Sequence, residues 1–152
     1  MEELKIKLIQ LDLNMPSPVY AHKTDVGCDL YSRVDALIKP GERKLIPTGI
    51  KIAIPKGYAG FIHPRSGLAL KYGVSILNSP GLIDPGYRGE IAAILINHDK
   101  NRTFKVKRGD KICQLVIQKF KKPRFQIVKK LNKTERGEDG FGSSGINKKS
   151  AV

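Results

Sequence analysis

The chain has 152 residues, with 28 Lys and Arg against 14 Asp and Glu, a formal net charge of +14. Its length suits one domain, and a 40% hydrophobic, 28% charged composition excludes wholesale disorder. The longest apolar run, Ile91 to Ile96, is far shorter than the ~20 residues of a membrane helix, and the amino-terminal Met-Glu-Glu-Leu-Lys-Ile-Lys-Leu lacks the basic and apolar regions of a secretory signal.

In chain order, Leu4, Ile6 and Leu8 alternate with Lys5 and Lys7, the period-two pattern of a strand. Asp29 lies between Cys28 and Leu30 on a further short strand, and Ile50, Ile52 and Ile54 repeat on one face. A short helix is expected after Ser66, in Gly67 to Tyr72. Phe104 and Val106 alternate with Lys105 and Lys107. Ile91 to Ile96, Ile112 to Ile117 and Phe125 to Val128 read as more fully buried strands. Turn signals separate them at Pro40-Gly41, Pro55-Lys-Gly57, Asp84-Pro-Gly86 and Arg108-Gly-Asp110. Short strands at this spacing predict an all-β sandwich or barrel over residues 1–131. Residues 132–152 are polar and rich in Gly, Ser and Lys, the composition of a flexible carboxy-terminal arm.

The charge is uneven. Residues 1–99 carry 12 basic and 10 acidic side chains, whereas residues 100–152 carry 16 and 4. Such an excess either meets polyanions or keeps the protein soluble. Cys28 and Cys113 make no disulfide framework, which fits a reducing, cytoplasmic location.

Five segments carry candidate chemistry. The arm holds Arg136-Gly-Glu-Asp-Gly-Phe-Gly-Ser-Ser-Gly145. It is either an ordinary Gly/Ser tail or an anion nest, with Arg136 as a bidentate donor and Phe141 as a stacking platform. Asn78-Ser-Pro-Gly-Leu-Ile-Asp-Pro-Gly-Tyr-Arg-Gly-Glu90 reads as a hairpin holding Asp84 and Tyr87 at its tip. Asp84 is either a turn residue or a general base. In Pro64-Arg-Ser-Gly67, Ser66 is either a helix N-cap or, with Arg65 and Gly67, part of a phosphate cradle. Asp29 is either an edge-strand polar residue or an outer partner of a metal. Gln114, inside the apolar strand of Arg108 to Leu115, requires polar partners. His22, His63 and His98 have no metal-ligand spacing, and the chain lacks Cys-x-x-Cys and Gly-x-Ser-x-Gly motifs.

In this order, the five segments resemble the five motifs of the trimeric dUTPases. These are Asp25 to Ser32, Pro64 to Ala69, Asn78 to Glu90, Arg108 to Leu115 and Arg136 to Gly145. The resemblance implies a jelly-roll-like distorted β-barrel and a homotrimer with shared active sites. It also implies Mg²⁺-dependent hydrolysis of dUTP to dUMP and pyrophosphate. By this resemblance Asp84 activates the attacking water, and Tyr87 packs on the deoxyribose. Asn78, Gly81, Leu82 and Ile83 bind uracil, while Arg65, Ser66, Gly67 and Gln114 hold phosphates. Asp29 meets Mg²⁺ through water. Arg136, Gly142, Ser143 and Ser144 clamp the outer phosphates, and Phe141 stacks over the base. Two rivals are a dCTP deaminase of the same fold, which would require an acid in the strand Ile91 to Ile96, and a basic nucleic-acid-binding domain, which would require exposed aromatics.

Overall fold

The computed structural model describes residues 4–140. Among them are eleven strands and one short helix, and every strand pairing is antiparallel. Strand β1 (Lys7–Gln10) pairs with β5 (Ile50–Ala53), and β3 (Ala36–Ile38) with β10 (Phe104–Val106). Strands β4 (Arg43–Pro47) and β7 (Val74–Ile76) flank β9 (Ala92–Asn97). The largest sheet runs β2 (Cys28–Tyr31), β11 (Lys111–Lys119), β6 (Tyr58–His63), β8 (Gly81–Ile83). The result is the expected all-β, jelly-roll-like distorted barrel, with partners drawn from distant parts of the chain. Among the described residues no helix is long and apolar enough to cross a membrane.

The strands close around Leu30, Ile38, Ile46, Ile62, Ile91, Leu95, Val106 and Ile112, all fully buried. Burial of each such side chain contributes roughly 1.5–3 kcal/mol. The run Ile91 to Ile96, expected to be buried throughout, instead alternates. Ala93, Leu95 and Asn97 point into the core, while Ile94 and Ile96 are half-buried on the opposite face. The buried Asn97 amide donates to the carbonyls of Ile38 and Arg102, tying three elements together.

Helix α1 (Ser66–Tyr72) follows β6, as expected. Ser66 is not its N-cap, however. Arg65 occupies that position, no side chain caps the helix, and Ser66 is exposed. The helix ends at Gly73 in the left-handed conformation.

The chain divides after Lys121 into this β domain and a carboxy-terminal segment. Phe125 to Val128 corrects another expectation. The segment forms no strand, and Phe125 and Ile127 are 89% and 100% exposed. Alternating apolar residues make a strand only where a sheet edge accepts their backbone.

Both cysteines are free and buried. Burial pushes the Cys28 thiol up and that of Cys113 up to about 12. Thiolate, the reactive form, is therefore scarce at neutral pH. A thiol-reactive dye should leave the native protein unlabelled for hours and modify two sulfurs per chain after denaturation. Rapid labelling of the native chain would contradict this packing.

Candidate active site

Residues 78–90 do not form the expected hairpin, because β8 pairs with β6 and the next strand, β9, pairs with β4 and β7; the segment instead runs from β8 into a turn and lines one cavity. Strand β8 pairs with β6 through Gly81↔Ile62, Leu82↔Phe61 and Ile83↔Gly60. As the last strand of its sheet, β8 leaves its other backbone edge without a strand partner among the described residues. Beyond it the chain turns, with the Tyr87 N–H donating to the Asp84 carbonyl at 3.0 Å. The Arg88 guanidinium donates to the Pro85 and Tyr87 carbonyls at 2.6 and 2.8 Å, bracing the turn. The cavity measures about 300 Å³ and is lined by Asn78, Gly81, Leu82, Ile83, Asp84 and Tyr87. Ile62, Ile76, Ile91 and Ile94 supply apolar walls, and Glu90 also borders it. An apolar slot beside main-chain donors and acceptors suits a planar heterocycle.

A second cluster gathers around Asp29, which is buried on β2 directly opposite Gln114 of β11. Its Oδ1 accepts from Arg65 Nε at 3.1 Å and lies 3.5 Å from Gln114 Nε2. Its Oδ2 lies 2.8 Å from Lys111 Nζ. Burial pushes the Asp29 carboxyl upward, but Lys111, Arg65 and Gln114 outweigh it and hold the group below the usual carboxylate range. Two cations around one carboxylate leave a positive remainder. Such a cluster attracts phosphate more readily than it cages a metal. Ser66 and Gly67 lie exposed immediately beyond Arg65, with the Ser66 hydroxyl free of any capping role.

The candidate residues thus fall into separate groups. The cavity that holds Asp84 and Tyr87 is lined by none of Asp29, Arg65, Ser66, Gly67 or Gln114. In the carboxy-terminal segment, Arg136 Nε donates to its own Asp139 carbonyl at 2.9 Å. Phe141, Gly142, Ser143 and Ser144 lie outside the described residues. Sequence reasoning assigned no role to Lys111 or Glu90. Lys111 stands three residues before Gln114, and a cation so near a strand glutamine was the available signal.

A family model described as dUTPase matches residues 14–145. The deoxyuridine 5'-triphosphate nucleotidohydrolase of Corynebacterium glutamicum is 50% identical over 140 residues, covering 92% of this chain and 94% of the relative. The enzyme of that name from Rhodococcus erythropolis is 51% identical over 144 residues, covering 95% and 88%. Among solved structures, the Staphylococcus bacteriophage 80alpha dUTPase with dUPNHPP superposes with a TM-score of 0.86 at 30% identity, over 93% of this chain and 99% of that one. A variant dUTPase of phage phi11 of S. aureus, described with a coordinated structural Mg(II) ion, matches with a TM-score of 0.79 at 26% identity, covering 86% of this chain and all of that one. With the sequence match spanning most of the chain and the fold shared, this protein belongs to the dUTPase family.

Proposed function

We propose that the protein hydrolyses dUTP to dUMP and pyrophosphate, a reaction that limits uracil in DNA and supplies dUMP for thymidylate synthesis. The observation that carries this reading is the cavity beside β8, where an open strand edge, Asp84 and Tyr87 meet at one apolar slot. Uracil docks against the β8 edge, with Asn78 and the main chain of Gly81, Leu82 and Ile83 pairing its polar rim. A base with the wrong donor pattern leaves those groups unpaired, which discriminates strongly. A 5-methyl group meets the same walls. Tyr87 lies against the deoxyribose and leaves no room for a 2'-hydroxyl.

Asp84 accepts a proton from water as the water oxygen attacks the α-phosphorus. The bond from that phosphorus to the bridging oxygen breaks, and pyrophosphate leaves with the bridging oxygen. Arg65, Ser66, Gly67 and Gln114 hold the phosphates, and Arg136, Gly142, Ser143 and Ser144 close over the outer ones with Phe141 on the base. Among the described residues no group of three His, Cys, Asp or Glu side chains forms a metal cage. Asp29 nevertheless fits the role of a single outer partner, reached through water, for a Mg²⁺ held chiefly by the triphosphate. When bound, that ion neutralises phosphate charge and stabilises the departing pyrophosphate.

The separation of the β8 cavity from the Asp29 cluster supports a homotrimer whose sites combine residues of different chains. The exposed Phe125, Ile127 and Leu131 offer an apolar strip for a neighbouring copy. The free, buried thiols agree with a cytoplasmic setting. Deamination of dCTP is not favoured, because β9 carries no acid that could serve as its proton carrier.

With Mg²⁺ present, pyrophosphate release should be selective for dUTP over dCTP, dTTP and UTP. Ammonia release from dCTP would refute the reading. Asp84→Asn should lower turnover roughly 10²–10⁴-fold while dUTP binding, followed by calorimetry, stays nearly intact. Unchanged turnover would remove Asp84 from the reaction. Ile127→Asp should shift the sedimenting species from trimer toward monomer and reduce activity in parallel. A trimer of full activity would show that the strip makes no subunit contact.

A further inference from the structure

We propose that Arg33, which does not line the β8 cavity, is a positioning residue that sets the sugar selectivity of the site by fixing the support on which Tyr87 rests. The inference rests on the dUTP hydrolysis proposed above and concerns how firmly the sugar wall is held.

Tyr87 is fixed at two points. Its ring folds back over Gly89, where an added Cβ would lie 2.5 Å from the ring Cζ and 2.9 Å from Cε2. The ring therefore occupies the space that a side chain at position 89 would fill. Its hydroxyl donates to the Glu90 main-chain carbonyl at 3.0 Å. The stiffness of the wall thus depends on how well Glu90 is held.

The Glu90 side chain is held on both oxygens. Oε2 accepts from the Arg33 guanidinium at 3.0 Å, and Oε1 accepts from the Gly49 N–H at 2.8 Å. Arg33 in turn is tied by its own N–H to the Pro47 carbonyl at 2.9 Å. Its stem runs over Gly49, where a Cβ would approach Arg33 Cδ to 3.1 Å and the backbone has φ of +77°. Any side chain at position 49 would strain the turn and push on Arg33. A chain of contacts thus leads from the β4–β5 turn through Arg33 and Glu90 to the Tyr87 hydroxyl.

The electrostatics argue that Arg33 does more than fill space. Its Nε is buried without a hydrogen-bond partner among the described residues. A buried donor left unsatisfied is unfavourable, and an apolar residue of similar length would avoid that penalty. The site nonetheless holds a guanidinium, and its terminal nitrogen is the one bonded to Glu90. Without Arg33, Glu90 keeps one anchor instead of two, and the Tyr87 ring yields to a 2'-hydroxyl.

The test uses the full chain and compares kcat/KM for dUTP and for UTP. Arg33→Met should lower the dUTP-to-UTP ratio about tenfold, the scale on which a pocket distinguishes one small group. Tyr87→Phe, which removes the anchored hydroxyl, should lower it similarly. The double variant should fall no further than either single one. An unchanged ratio in Arg33→Met overturns the proposal, even if the melting temperature falls. A multiplicative loss in the double variant overturns it too. If Arg33→Met does not fold, Glu90→Gln, which keeps the side-chain shape without its charge, decides the matter: a reduced ratio supports the proposal and an unchanged one refutes it. Failure of the wild-type chain to hydrolyse dUTP would instead remove the functional reading itself.

Discussion

A carboxylate taken out of water must be met by positive charge, and Asp29 imposes that requirement on the β2 margin of the largest sheet. Its compensation comes from Lys111 at the head of β11 and from Arg65 where β6 gives way to α1. The β2–β11 register then places Gln114 against the same oxygen that Arg65 holds. Loss of the Asp29 charge would leave two neighbouring cations facing each other, so the pair tolerates removal only as a unit. Arg65, Lys111 and Gln114 are thus held by their contacts with Asp29, and donors already held lose less side-chain freedom when they bind an anion.

The opposite margin of the same sheet obeys another rule. An open strand edge invites pairing with other chains, and proteins keep such edges short and bounded. Strand β8 has three residues, and prolines stand at positions 80 and 85 on either side. A proline donates no backbone hydrogen bond, so a foreign strand cannot extend far along this edge. The same brevity limits the edge to something the size of a single base. Protection from aggregation and recognition of a small planar ligand thus come from one device.

Much of the fold was legible because short strands with alternating burial and Gly/Pro turns leave a strong local pattern. The strands holding Ile50, Phe104 and Ile112, and the helix after Ser66, lie where that pattern put them. The pattern misled where the deciding partner was not local. Phe125 to Val128 reads as a buried strand yet pairs with no strand among the described residues. Ile91 to Ile96 is apolar on both faces because one face meets the core and the other borders a cavity. The turn after β8 was legible, since Pro-Gly punctuation and an Asp lie close together, but the hairpin expected around it was not formed, because β8 and β9 take partners in different sheets. The contacts of Lys111 with Asp29 and of Arg33 with Glu90 were not, as sequence separations of 82 and 57 residues leave no periodic trace.

The proposed division of labour around β8 has a consequence for evolvability. Base reading along β8 would fall to peptide groups, which are the same whatever side chains occupy positions 81 to 83. Asn78 aside, point mutation would have little leverage there, and a different base preference would require a shifted register or a rebuilt turn. The proposed sugar wall is a single side chain, Tyr87, with a short line of supports behind it, each one codon change from being loosened. Drift toward ribonucleotides would then be the more accessible route of change, and drift toward another base the less accessible one.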